Sequence, residues 1–179
     1  MPPTTPSLLT SLPPNPWPES SAQKLPPPRF LNHDDLGTVI RLAPLIAIDF
    51  IIRNARDEVL LGLRNNEPAK DWYFVPGGMV LKNERLTDAF ARLLKAETGY
   101  TLRIDEARLL GAFEHFYKNN RFGNSDYGTH YVVLGYELGV PDAAEPKPDD
   151  QHSELRFWPL AELLASDRVH KNTKAYFGC

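Results

Sequence analysis

Proline placement decides how much of this chain can build a packed fold. Ten of its 17 prolines are Pro2, Pro3, Pro6, Pro13, Pro14, Pro16, Pro18, Pro26, Pro27 and Pro28, and the other 151 residues hold seven. Proline fixes φ and has no N–H to donate. The Ser, Thr and lone Trp17 between these prolines supply too little apolar surface to offset the entropy of ordering. Residues 1–28 are therefore expected to be a disordered, partly polyproline-like tail, and a fold must come from residues 29–179. That length suits one domain, at roughly 100–200 residues each.

Charge narrows the partners. With 20 Lys and Arg against 23 Asp and Glu, the net charge is −3, and clustered cations of the kind that bind nucleic acid or anionic lipid are absent from the sequence. Neither a nucleic-acid partner nor a membrane is expected; small solutes or proteins are. The single cysteine, Cys179, is the last residue, so the chain has no internal disulfide, which fits a reducing compartment. No early apolar stretch has the length of a signal-peptide core, and no run approaches bilayer-spanning length. A soluble cytoplasmic protein is expected.

From Phe30 onward the texture changes to short apolar runs and turn signals. Residues 45–52 (LIAIDFII) and 58–64 (EVLLGLR) have strand length and flank a polar turn, which predicts a hairpin. Residues 72–76 (WYFVP) predict a third strand, stopped by Pro76 and the Gly77-Gly78 pair. Over residues 85–98, Leu86, Ala89, Phe90, Leu93 and Leu94 recur at the spacing of an amphipathic helix, and Gly99 supplies its stop. Further strands are expected at 109–117, 129–138 and 155–159, a loop at 141–152 and a helix from 160 to 165. Hairpins together with strands separated by a helix predict an α/β fold, a mixed sheet covered by helices.

Two carboxylates stand out against this pattern. Glu97 follows Phe90 by seven residues and Leu93 by four, so it falls on the apolar face of its helix. A charge there is costly unless a cation or metal meets it; the alternative is that it turns to solvent at a frayed helix end. Asp49 stands between Ile48 and Phe50 in a run with no other polar side chain, so it needs a partner, a pocket mouth or an edge facing water. Arg64, in the hairpin partner of Asp49, is placed to share a site with it. His115 sits among Phe113, Phe116 and Tyr117, a setting that suits a structural histidine as well as a catalytic one.

The stretch Gly78-x5-Glu84-x7-Arg92, continued by Glu97-x-Gly99-Tyr100, resembles the Nudix box. Leu93 and Ala96 stand where the box carries glutamates. In this the chain is similar to the GDP-mannose mannosyl hydrolase branch of the Nudix superfamily, and the segments RFLNHDDLGTVIRLAPLIAIDFII, WYFVPGG, EHFY, THYVVLGY and LLASDRVHKNTKAYF resemble it too. The resemblance implies a Nudix fold, a mixed β-sheet sandwiched between α-helices. It implies hydrolysis of a nucleotide sugar, GDP-mannose or GDP-glucose, to GDP and free sugar by water attack at the anomeric carbon with inversion.

Carried over residue by residue, the resemblance implies one Mg²⁺ held by Gly77, Glu97 and Gln151. His152 would be the general base, and Asp49 would stabilise positive charge developing on the sugar, with His115 supporting orientation. Arg64, Arg92 and Tyr131 would act on the diphosphate, while Phe30, Leu31 and Leu36 would pack on guanine in a homodimer. Met79 departs from the branch, which has arginine there; Lys82 or Arg121 is the neighbour that would replace its charge. The alternatives are a Nudix pyrophosphatase attacking phosphorus and a non-catalytic nucleotide-sugar-binding module.

Overall fold

The computed structural model describes residues 26–178 apart from 124, 142–145 and 147–151. The expected tail therefore lies outside the described residues up to position 25, and so does Gln151. The first element is a helix that the apolar pattern does not mark, α1 (His33–Leu42). Asn32 caps it by accepting from the Asp35 amide at 2.9 Å, and Asp34 and Asp35 suit the positive end of its dipole. It buries Leu36 and Ile40 against Leu45.

The strands are β1 (Leu45–Arg53), β2 (Val59–Arg64), β3 (Tyr73–Phe74), β4 (Gly77–Met79), β5 (Arg108–Tyr117), β6 (Thr129–Gly139) and β7 (His152–Trp158). The remaining helices are α2 (Leu86–Thr98), α3 (Leu160–Ala165) and α4 (Lys171–Ala175). Five strands run in the order β3-β2-β1-β6-β5, with β4 paired to β1 and β7 to β2. The β1–β6 pair is parallel and the others are antiparallel, so the sheet is mixed, as the pattern predicts.

Strand alternation explains the sandwich. Ile48, Phe50 and Ile52 face α2 and pack with Ala89, Phe90, Leu93 and Leu94. Ile51 faces the other way, into a second core with Val59, Leu61, Trp158 and Leu163. Helix α2 has the expected extent, with Arg85 as its N-cap and Gly99 ending it at φ 78°, a left-handed conformation that glycine adopts without a Cβ penalty.

Three expectations need correction. The hairpin closes only at its tip, where Arg53 pairs with Val59; the earlier part of β1 pairs with β4 instead, Ala47 with Met79, Ile48 with Gly78 and Asp49 with Gly77. The third strand is shorter than expected because Pro76 cannot donate to a ladder, and Gly77–Met79 forms a strand of its own rather than a stop. Finally, β7 begins at His152, inside the expected loop, because its antiparallel ladder along β2 extends to the Arg64–His152 pair. Backbone pairing recruits polar residues that carry no apolar signal.

Candidate active site

A cleft of about 370 Å³ brings together Phe30, Asp49, Arg64, Gly77, Arg92, Glu97, His115 and Tyr131. These come from separate stretches of sequence, and the sheet unites them. Leu31 and Leu36 do not line the cleft; Leu36 is buried beneath α1 with Ile40 and Leu45, and Leu31 packs against that cluster. Phe30 is 75% exposed and sits 5.9 Å from the Arg92 guanidinium carbon. Backbone pairing puts His152 opposite Arg64.

Asp49 alternates away from the α2 face and is 7% exposed. The Tyr176 hydroxyl donates to its Oδ2 at 2.6 Å. Burial pushes its pKa up to about 7, against the opposing pull of that hydrogen bond and of the Arg64 charge. Asp49 and Arg64 thus share the site, as their strands suggest. Gly77 lies directly across from Asp49, and a Cβ at that position would collide with the Asp49 carboxylate and the Ile48 carbonyl.

Glu97 is 2% exposed on the buried face of α2, so it does not turn to solvent. Leu93 packs so closely over Gly78 that a Cβ there would lie 2.6 Å from Leu93 Cδ2. The position where the Nudix box has a glutamate is therefore filled by hydrocarbon. Among the described residues no three His, Cys, Asp or Glu side chains cluster as a metal site. A divalent cation is nonetheless suited by the donors present, since hard cations take carboxylate and backbone carbonyl oxygens together. The buried Glu97 carboxylate lies in the same cleft as the Gly77 backbone.

Arg92 is committed within the fold. Its Nε and an Nη donate to Glu84 at 2.6 and 2.7 Å, and the same Nη donates to the Met79 carbonyl at 3.0 Å. Glu84 also accepts from the Leu81 amide at 2.9 Å, and the Arg92 bonds hold its carboxyl below the usual range. This fork ties β4 to α2 through the intervening loop. Arg92→Ala is expected to destabilise the protein by about 2–3 kcal/mol, because it strands the Glu84 carboxylate. Urea unfolding measures this, and an unchanged midpoint would contradict it.

His115 is 4% exposed. Burial, with the nearby His170 as a smaller cause, lowers its pKa to about 4, so it is neutral at pH 7. Its Nε2 lies 3.3 Å from the Tyr176 hydroxyl. Burial raises the Tyr131 pKa, while Arg64 and Arg121 pull it down. Arg121 lines the cleft and Lys82 does not, so of the two neighbours weighed for Met79 it is Arg121 that reaches the site.

The NUDIX domain model matches residues 43–177. Over 132 residues, 73% of this chain and 81% of the relative, the chain is 40% identical to the low-salt glycan biosynthesis protein Agl8 of Haloferax volcanii. The chain belongs to the Nudix family. It is also 30% identical over 122 residues to an ADP-ribose pyrophosphatase of Methanocaldococcus jannaschii, covering 68% of this chain and 66% of that one. The solved MutT protein from Methanosarcina mazei superposes with a TM-score of 0.62 at 22% identity, covering 75% of this chain and 91% of the other. Membership makes this Nudix protein a hydrolase that fits divalent-metal chemistry, and the mixed sheet between helices is the Nudix fold.

Sequence reasoning missed the aromatic surround of this Nudix cleft. Tyr117 lines it, with its hydroxyl 3.3 Å from Asn172 Nδ2. His170 packs on Phe74 at 5.3 Å between ring centroids, and Tyr176 holds Asp49. His170, Asn172 and Tyr176 all lie between 170 and 176, too short a stretch for periodicity to mark a buried face.

Proposed function

We propose that the protein hydrolyses a nucleotide sugar, GDP-mannose or GDP-glucose, to GDP and free sugar, with water attacking the anomeric carbon and inverting it. The observation that carries this reading is Asp49, a buried cleft carboxylate clamped by Tyr176 and separate from the Glu84–Arg92 fork. A displacement at carbon develops positive charge on the sugar ring, and a fixed carboxylate stabilises it. Attack at phosphorus has no such need. Leu93 and Ala96 support the same choice, since Glu97 is the acidic residue of α2 that lines the cleft.

Gly77, Glu97 and Gln151 would hold one Mg²⁺, which when bound neutralises the diphosphate. Arg64, Arg121 and Tyr131 line the cleft and would meet the phosphate oxygens, with Arg121 replacing the charge absent at Met79. Arg92 also lines the cleft and would meet the diphosphate from a position fixed by its bonds to Glu84 and the Met79 carbonyl. Phe30 offers an exposed ring for the base. His152 would take the proton of the attacking water, a task suited to an imidazole with pKa near neutrality. The working form would be a cytoplasmic homodimer.

A second reading, a pyrophosphatase attacking phosphorus, is favoured by the 30% identity to the ADP-ribose pyrophosphatase. Hydrolysis in ¹⁸O-water separates the two. Label in the released sugar is expected; label in a nucleotide monophosphate or sugar phosphate assigns the pyrophosphatase reaction instead. On the first reading His152→Ala lowers kcat by about 10²–10⁴-fold, and unchanged turnover would remove His152 from the mechanism.

A further inference from the structure

Tyr176 lies 127 residues from Asp49 in sequence, yet the fold prepares a place for its ring. Asp49 pairs with Gly135 across β1 and β6. A Cβ on Gly135 would sit 3.1 Å from Tyr176 Cε1, so glycine there makes room for the phenol. Phe113 packs edge-on against it at 4.6 Å between centroids. The backbone carrying the ring is also anchored, with Thr173 fully buried and Lys174 Nζ donating to the Ser166 carbonyl at 2.7 Å.

We propose that Tyr176 is a positioning residue for Asp49, the middle member of a one-way hydrogen-bond chain from His115 through the tyrosine hydroxyl to the carboxylate. The inference rests on the role given to Asp49 under the proposed function. A phenol has one proton to donate, and with Asp49 ionised, the state its proposed role requires, that proton goes to Oδ2 at 2.6 Å. The phenol oxygen then presents lone pairs to His115 Nε2 at 3.3 Å. Neutral His115 satisfies this contact by carrying its hydrogen on Nε2, which leaves Nδ1 bare. Burial keeps both groups in these states: it raises the Tyr176 pKa, with the Asp49 charge adding to the effect, and lowers that of His115.

The chain fixes the Asp49 rotamer. Without the phenol proton, Oδ2 loses its donor and the carboxylate is free to turn toward the Arg64 charge that already acts on it. The cost falls on the orientation of a charge that matters most in the transition state, so it should enter kcat rather than substrate binding.

The test uses the full chain with Mg²⁺ and GDP-mannose. Tyr176→Phe keeps the ring packed on Phe113 and deletes only the hydroxyl. It is expected to lower kcat about 10–30-fold, the loss of one hydrogen bond to a charged group, with KM within about twofold and Tm lower by a few degrees, because the buried carboxylate loses a donor. It should add little further loss in an Asp49→Asn background. If Asp49→Asn removes turnover while Tyr176→Phe keeps full kcat, the positioning role is overturned and the role of Asp49 stands. If Asp49→Asn itself is active, the proposed function fails instead. ¹⁵N NMR of the His115 ring reads the chain without turnover. An Nε2–H tautomer that loses its preference in Tyr176→Phe supports it, whereas an Nδ1–H tautomer in the wild type, or one unmoved by the substitution, overturns it.

Discussion

Glu97→Gln is expected to reduce kcat/KM on a nucleotide sugar by about 10³-fold or more, the scale seen when an electrostatic contact in a catalytic site is removed. Glu97 sits in the last turn of α2, where a negative charge opposes the helix dipole, and it is 2% exposed, where a charge is costly. Glutamine keeps its shape and removes the charge. A cation that binds the folded state raises stability by RT ln(1 + [L]/Kd), so the wild type should gain thermal stability as Mg²⁺ is added and Glu97→Gln should gain much less. An equal Mg²⁺-induced rise in both proteins would remove Glu97 from the metal site.

The two carboxylates were legible because they break a pattern. Asp49 interrupts an apolar strand and Glu97 an apolar helix face, and the structure buries both in one cleft. The extent of α2 was legible for the same reason, its 3.6-residue period ending at Gly99. What partners these residues was not. The Tyr176–Asp49 bond spans 127 residues, and local periodicity holds no information on such a closure. Helix α1 went unread although its capping asparagine and acidic first turn are visible, because it follows the proline-rich segment and buries only Leu36 and Ile40. The β1–β2 hairpin is present, but the shortness of its ladder was not legible. Its strands have the right composition, but Gly77–Met79 takes the early part of β1, a competition that strand propensity does not reveal. Arg92 lines the cleft, and its bonds to Glu84 and the Met79 carbonyl, eight and thirteen residues away, are partners that its charge alone does not identify.

Asp49→Asn should separate function from stability most clearly. The carboxyl ionises near 3.8 when unfolded and near 7 in the fold, so between those pH values the folded state holds a proton that the unfolded state has released. Stability therefore falls as pH rises through this window, and the full cost is present above pH 7. A rise from 3.8 to about 7 corresponds to at most about 4 kcal/mol. Asparagine has no charge to desolvate, and its Oδ1 still accepts from Tyr176. The variant should match the wild type near pH 4 and exceed it by about 2–4 kcal/mol at pH 8, while losing about 10²–10³-fold in kcat on the proposed mechanism, in which this charge would face the sugar. Such a gain in stability with a loss of activity is the mark of a group kept for function at the expense of the fold. Urea unfolding with chelator at the two pH values, alongside kcat on GDP-mannose, measures both halves. Equal stability at pH 8 would mean that Asp49 is not held under strain by its burial, and retained kcat would mean that the reaction does not use its charge.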